Sequence, residues 1–303
     1  MSENESVKPK RTRSIKRRLT AGIILLLEIM LLSLTPSYIN AKLNEDTYRN
    51  WLTTETEPKT CIINVWHIVG FKPYIGSLGS FLKKQADEYS RGKIGIYFNV
   101  ESYSPDEASE KLGRGMLPDV ISFAGDSVDA DMLYKLNGTV GSEASDTDNS
   151  LICALPYCAS GRVMLCSPEL SGASDEELSA LCGTPEEFKK GKASACICDI
   201  RAAGDIYRAG LMGSVPVFDA RPAVEAFYKD LVQYIGVYKT IDEYKLKYAV
   251  EYINTVAGQK AQSELCELGL LPISDDADAD YEQAWIDALY ELFKQRKYEI
   301  INK

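Results

Sequence analysis

Hydrophobic and polar positions change period several times along this chain, and each change predicts an element. CIINVWHIVG (Cys61 to Gly70) is an apolar, strand-like run with the aromatic pair Trp66 and His67 towards its end. Ile75, Leu78, Leu82, Ala86 and Tyr89 then recur at helical spacing, which predicts a helix from Tyr74 to Tyr89 closed by Gly92. IGIYFNVESY (Ile94 to Tyr103) is a second strand, rich in β-branched and aromatic residues. Ser104, Pro105 and Glu107 then form a capping box with proline at the first helical position, opening a short helix that ends at Gly113. PDVISFAG (Pro118 to Gly125) is a third strand, bounded by proline and glycine. Strand, helix, strand, helix, strand at such short intervals predicts βαβ units and a parallel sheet.

Asn137 to Ser150 is rich in Gly, Ser, Asp and Asn and reads as a surface loop; its Asn137-Gly138-Thr139 matches a glycosylation acceptor over three residues only. LICALPY (Leu151 to Tyr157) and GRVMLC (Gly161 to Cys166) are strands, and TPEE (Thr184 to Glu187) is a second capping box whose helix stops at Gly191. ASACICDI (Ala193 to Ile200) is a strand followed by a helical turn, Arg201 to Gly210, whereas YKDLVQYIGV (Tyr228 to Val237) fits strand or helix. Leu246, Ala249, Val250, Ile253 and Val256 mark a helix from Asp242 to Ala257, and another runs from Lys260 to Leu268. The last helix is the most amphipathic, with Tyr281, Ala284, Trp285, Ala288, Leu289, Leu292 and Phe293 on one stripe.

Ahead of all this lies a pattern of another kind. Residues 1–18 carry seven Lys or Arg against two Glu, a local charge of +5, so a chain of net −10 has −15 in its remainder. The apolar stretch Ala21 to Leu34 follows, interrupted by Glu28. A basic n-region before an apolar h-region is a membrane-targeting signal. Fourteen residues suit a cleaved signal peptide, and extension to residues 19–38 reaches the ~20 residues of a spanning helix; both readings put the body on the far side. No cysteine follows the segment before Cys61, so a lipidated cysteine is not available as an anchor. Residues 42–60 read as a polar linker. The acidic body lacks the basic stripe that nucleic-acid binding needs, and with 45% apolar and 26% charged residues the composition is that of a folded protein.

Three stretches in order resemble the extracellular solute-binding proteins of ABC importers, in their sugar-binding branch. They are Val65 to His67 continued by KLGRGMLPDVISFAG (Lys111 to Gly125), GKASACICDIRAAG (Gly191 to Gly204), and AVEYINTVAGQKAQSELCELGLLPIS (Ala249 to Ser274). The resemblance implies an α/β, two-lobed periplasmic-binding-protein-like (type II) fold preceded by one N-terminal hydrophobic helix. Lobe 1 would hold residues 61–152 and 228–274, and lobe 2 residues 153–227, with 275–303 as an addition. Residues 153–227 are about half the length the resemblance implies for a second lobe. The implied function is capture of a small polar solute, most readily a carbohydrate, for an importer permease, without a cofactor and without bond chemistry. The alternative is an anchored interaction or sensory module of the same fold that binds a protein partner.

In such a fold the ligand lies at the carboxyl ends of strands, where aromatic faces and polar groups meet it. Trp66 and His67 near the end of the first strand, Phe123 and Asp126 around the end of the third, Tyr157 at the crossover, and Arg201 and Asp219 from the second lobe are the candidate contacts. His67 is the sole histidine, so any triad must use it, and no nucleophile elbow accompanies it. All eight cysteines follow the hydrophobic segment, where disulfides are permitted, but burial as small apolar side chains fits a domain of this size better. Cys196 and Cys198 point to one face of their strand; with Cys153 and Cys158 they do not match a zinc spacing. The acidic run Asp275 to Asp280 lacks the glycine and closing glutamate of a calcium loop and reads as negative charge ahead of the last helix.

Overall fold

The computed structural model describes residues 23–27, 30, 60–136, 153–213, 215 and 217–301. Residues 23–27 and Met30 of the hydrophobic stretch are helical and exposed, and among the described residues no helix is long and apolar enough to cross a membrane. The basic run, the linker up to Lys59 and the Asn137 loop lie outside the described residues. Packing divides the chain into Met1–Thr60 with Arg91–Ile96, and Cys61–Ser90 with Tyr97–Lys303. Arg91–Ile96 forms a turn leading into a strand; the architecture below is that of the second unit.

Its elements in chain order are β1 (Cys61–Ile68), α1 (Leu78–Ser90), β2 (Ile96–Tyr103), α2 (Pro105–Gly113), β3 (Val120–Ala124), β4 (Ala154–Ala159), β5 (Arg162–Cys166), α3 (Asp175–Ala180), β6 (Cys182–Gly183), α4 (Pro185–Lys189), β7 (Ala195–Asp199), α5 (Ile200–Leu211), β8 (Asp219–Pro222), β9 (Val232–Val237), α6 (Glu243–Ala257), α7 (Gln259–Glu267), β10 (Leu271–Pro272) and α8 (Ala284–Ile301). A six-stranded sheet has the order β10-β4-β9-β3-β1-β2, and a four-stranded sheet the order β6-β7-β5-β8.

The large sheet is mixed rather than parallel. β1 and β3 pair in parallel, as the βαβ spacing predicts, but β9 lies antiparallel to both β3 and β4. The reason is the path of the chain: β4 runs out towards the small sheet, and β9 brings the chain back into the same sheet, so it must run the other way. YKDLVQYIGV is thereby resolved as a strand preceded by a 3₁₀ turn at Lys229–Leu231. Between β4 and β9 the register shifts at Pro156/Cys158. Pro156 has no N–H to give to the ladder, and the extra residue of the bulge, Tyr157, turns its ring fully inside.

Local signals place the helix starts. Ser104 and Thr184 close the two expected capping boxes, and Ser174 with Glu177 closes a third at α3. The first helix begins at Leu78, four residues later than the apolar spacing predicts. Gly76 sits at φ +69, and Ser77 Oγ accepts a hydrogen bond from the Ser80 amide at 3.1 Å, so residues 73–77 form a loop. On α8 the buried face is Trp285, Ile286, Leu289, Tyr290, Phe293, Lys297 and Ile300. The stripe is thus shifted by one residue towards Ile286 and Tyr290. The Lys297 stem lies along it while its ammonium reaches Asp275 and the Ile273 carbonyl.

One apolar core belongs to both sheets. Ala159, Val232 and Leu271 of the large sheet pack with Val163, Leu165, Cys196, Cys198 and Ile200 of the small-sheet side and with Trp285, Leu289 and Phe293 of α8. Burying a side chain of Leu or Phe size contributes roughly 1.5–3 kcal/mol, so α8 contributes strongly to holding the sheets together.

Candidate functional site between the two sheets

The registers decide which ends of the sheets face each other. Ala159, last in β4, lies opposite Val232, first in β9, and Gln233 lies opposite Ala124 at the end of β3. Because β1 is parallel to β3, the carboxyl ends of β1, β3 and β4 share one edge with the start of β9. The chain crosses to the small sheet from this edge. On the small sheet Arg162 pairs with Asp199, and Val163 with Pro222, which defines the facing edge. Carboxyl ends of strands at a change of chain direction are where α/β folds bind ligands.

Between these edges the crossing segments are tied together: the Ser160 amide donates to Leu231 O and the Arg162 amide to Ala226 O, both at 2.8 Å. Asp126 pairs with Lys229 at 2.7 Å, and the Arg162 guanidinium lies 4.4 Å from the Tyr228 ring centroid. Gly161 admits α8, since a Cβ there would stand 2.8 Å from a Leu289 methyl.

Tyr74, in the loop after β1, reaches across. A Cβ at Gly204 of α5 would lie 2.4 Å from two Tyr74 ring carbons, and one at Gly269, itself at φ +70, would lie 2.5 Å from the Tyr74 Cβ. Trp285 meets the ring edge-on with centroids 5.9 Å apart, and the Arg208 guanidinium stands 5.0 Å from the ring centroid. Two long hydrogen bonds hold the loop, Ile75 N–H to Leu268 O at 3.3 Å and the Arg201 guanidinium to Tyr74 O at 3.4 Å. Desolvation raises the Tyr74 phenol above its ordinary pKa, with the Arg208 charge opposing it.

Among the described residues, four buried polar atoms in this region have no hydrogen-bond partner: Ser160 Oγ, Gln233 Oε1, Arg208 NH1 and Trp285 Nε1. Ser160 is in the crossing itself. Gln233 Oε1 faces the backbone just beyond β1, 3.5 Å from where a Gly70 Cβ would lie. Arg208 and Trp285 flank Tyr74. Buried polar groups are nearly always satisfied, so each of these orphans points to water or a polar ligand beside it.

Behind the edge is a closed network. His67 Nδ1 lies 3.1 Å from Ser122 Oγ, which lies 3.0 Å from Tyr157 OH, and Gln233 Nε2 donates to Ser122 Oγ at 3.0 Å and to Ile68 O at 3.1 Å. Burial lowers the His67 pKa from 6.5 to about 4, so the ring is neutral. Tyr157 OH is raised well above its ordinary range by the same cause.

The candidate residues divide accordingly. Asp126 and Arg201 stand at the interlobe edge. Trp66 does not offer a ring face there: it is 5% exposed, edge-on to Tyr103, and packed with Ala108, Ile121 and Leu133, because β1 is an inner strand covered on both sides. Phe123 is buried in the same cluster and stacks on Tyr234 at 5.9 Å. His67 and Tyr157 belong to the closed network. Asp219 pairs with Cys166 at the opposite end of the small sheet, so its register turns it away from the edge. Tyr74, Ser160, Arg208 and Gln233 were not singled out by sequence reasoning. The Pro73, Gly76 and Ser77 punctuation around Tyr74 was the available signal.

His67 and Ser122 sit inside the core, where no substrate bond reaches them. Cys196 and Cys198 are both buried on one face, and the Cys198 thiol is pushed up by its hydrogen bond with Cys196 and by burial. Among the described residues no group of three or more His, Cys, Asp or Glu is arranged to hold a metal ion. A pocket of about 300 Å³ lined by Ser77, Ser80, Lys84, Glu264 and Leu268 lies between α1 and α7 rather than at the interlobe edge.

No protein-family signature matches the chain, and no curated relative matches it. Its fold is similar to solved structures. The maltodextrin-binding protein MalE1 from L. casei BL23, without ligand, superposes with a TM-score of 0.56 at 10% identity, over 80% of this chain and 87% of that one. A family 1 extracellular solute-binding protein from Bifidobacterium longum subsp. infantis gives 0.55 at 10% identity over 79% and 88%. The sugar-binding protein MalE from Xanthomonas citri gives 0.54 at 11% over 76% and 84%. At these identities the likeness is one of fold, and it is the two-lobed periplasmic-binding-protein-like fold that the sequence resemblance implies.

Proposed function

We propose that this protein captures a small polar solute between its two lobes and presents it to an ABC importer, doing no bond chemistry itself. The observation that carries this reading is the set of buried polar atoms without a hydrogen-bond partner among the described residues, with Ser160 Oγ in the crossing segment, Gln233 Oε1 at the start of β9, and Arg208 NH1 and Trp285 Nε1 beside Tyr74. Hydroxyl-bearing ligands satisfy such a mixed set of donors and acceptors, and structures of similar fold include a maltose/maltodextrin-binding domain bound to maltotriose, which supports a carbohydrate. In this reading lobe 1 comprises residues 61–152 and 228–274, lobe 2 residues 153–227 together with 275–303, and residues 19–38 hold the protein at the outer face of the membrane. Asp126 and Arg201 are the two original candidates retained as ligand contacts.

The test is a calorimetric and thermal-shift panel of maltotriose, mono- and disaccharides, amino acids and short peptides. A saturable shift with one class, reduced at least tenfold by Arg201→Ala, is expected; no shift with any class at millimolar concentration overturns the reading. A second reading, an anchored module that binds a protein partner, is supported by the filling of the interlobe space by Tyr74 and by the apolar core common to both sheets. It would be preferred if no solute binds.

A further inference from the structure

Tyr74 is placed as a ligand would be. Its ring lies against Gly204 and its Cβ against Gly269, two positions where any side chain would collide with it, between the Trp285 indole and the Arg208 guanidinium. Yet its backbone is held only by long hydrogen bonds of 3.3 and 3.4 Å: Phe71 and Pro73 before it are buried, but Tyr74 itself is half-buried, its phenol held by Arg208, and Ile75, Gly76 and Ser77 after it are exposed. Ser77, as the cap, separates this loop mechanically from α1, so the loop can move without unwinding the helix.

We propose that Gly204, Arg208, Gly269 and Trp285 form a ring-shaped slot and that Tyr74 is its built-in, displaceable occupant, which solute must expel in order to bind. The inference rests on the solute-capture reading for its purpose, but the slot and its occupant can be tested without knowing the solute. The two glycines keep the slot open; the cation over the ring face and the indole at its edge favour a flat or hydroxylated ring. Solute binding would be weakened by the fraction of molecules in which Tyr74 is seated, so a plug seated nine-tenths of the time costs about tenfold in affinity.

Two substitutions in the full chain test this. Tyr74→Ala empties the slot, and p-cresol, the tyrosine ring with its hydroxyl, should then raise the melting temperature of the variant saturably, while the parent needs at least tenfold more p-cresol for the same rise. Gly204→Ala puts a methyl where the ring lies and should expel it. Amide exchange in the 70–77 segment should accelerate about tenfold, while the melting temperature stays within about 2 °C of the parent, because alanine also favours helix α5. Equal p-cresol responses in parent and Tyr74→Ala, or none in either, overturn the proposal. So does a Gly204→Ala protein that keeps the parent's exchange rate or loses its fold, since Tyr74 would then be a fixed part of the core. If the solute panel binds neither parent nor variants, solute capture fails, and the plug is judged by the p-cresol and exchange results alone. If a solute binds the parent as tightly as it binds Tyr74→Ala, the plug fails and solute capture stands.

Discussion

Acid should destabilise this protein through one ring. His67 is 2% exposed and its pKa falls from 6.5 to about 4 on burial. The folded value lies below the unfolded one, so as pH falls the unfolded chain takes up the proton first. The stability linked to His67 is therefore complete above pH 6.5 and is lost as pH falls through 4. With these values the loss relative to pH 7.5 is about 2 kcal/mol at pH 5 and about 3 kcal/mol at pH 4. His67→Gln keeps a hydrogen-bonding side chain against Ser122 but cannot titrate. Urea unfolding of parent and variant at pH 7.5, 6, 5 and 4 isolates the effect, because carboxylate contributions are common to both. The parent's loss of stability between pH 7.5 and 5 should exceed the variant's by about 2 kcal/mol. Parallel pH profiles would refute the reasoning, and would mean that the ring is hydrated or charged in the folded protein.

Three other outcomes follow from the packing. Tyr157→Phe removes one member of the network while Ser122 Oγ keeps His67 and Gln233 within reach, so it should cost about 1 kcal/mol in denaturant titration, and a loss above ~3 kcal/mol would show that the four groups act as one unit. Ser174→Ala and Thr184→Ala each break a capping box on the small-sheet side; each should cost about 1 kcal/mol, read as a lowered urea midpoint, and no change would mean that α3 and α4 are held by packing alone. Cys158 is fully buried with its thiol raised well above the ordinary range, and Cys198 is raised too. Both should resist a thiol reagent in native buffer and react on unfolding, as followed by mass spectrometry; rapid native labelling of either would contradict the core assignment.

What was legible in the sequence was mainly local. The boxes at Ser104 and Thr184 were readable because a cap and its glutamate are three residues apart, and Ser174 carries the same pattern. The inner strands β1 and β3 were readable as apolar runs, but such runs do not say which surface is covered. That is why Trp66, near the end of β1, belongs to the core instead of the interlobe edge. The direction of β9 was not legible, since it follows from where the chain re-enters the sheet rather than from anything in YKDLVQYIGV. Tyr157 was placed correctly in a crossover strand, yet its burial comes from a bulge that only pairing with β9 reveals. Tyr74 was hidden by Ile75, whose spacing from Leu78 and Leu82 extended the helix backwards over Gly76. Asp219 and Arg201 are equally plausible contacts in sequence, and the register of two short strands separates them.

The small sheet is inserted between two residues, Ala159 and Val232, that are cross-strand neighbours about 5 Å apart. Such an insertion invites transplantation: a tight turn joining β4 to β9 would close the host sheet without it. Here the graft would fail if it carried residues 160–231 alone, because Trp285, Leu289 and Phe293 of the chain's last helix supply part of the insert's core. The unit that can be exchanged between proteins of this architecture is therefore discontinuous. A recombinant that swaps one piece without the other exposes an apolar helix face in the host and leaves a hollow in the guest.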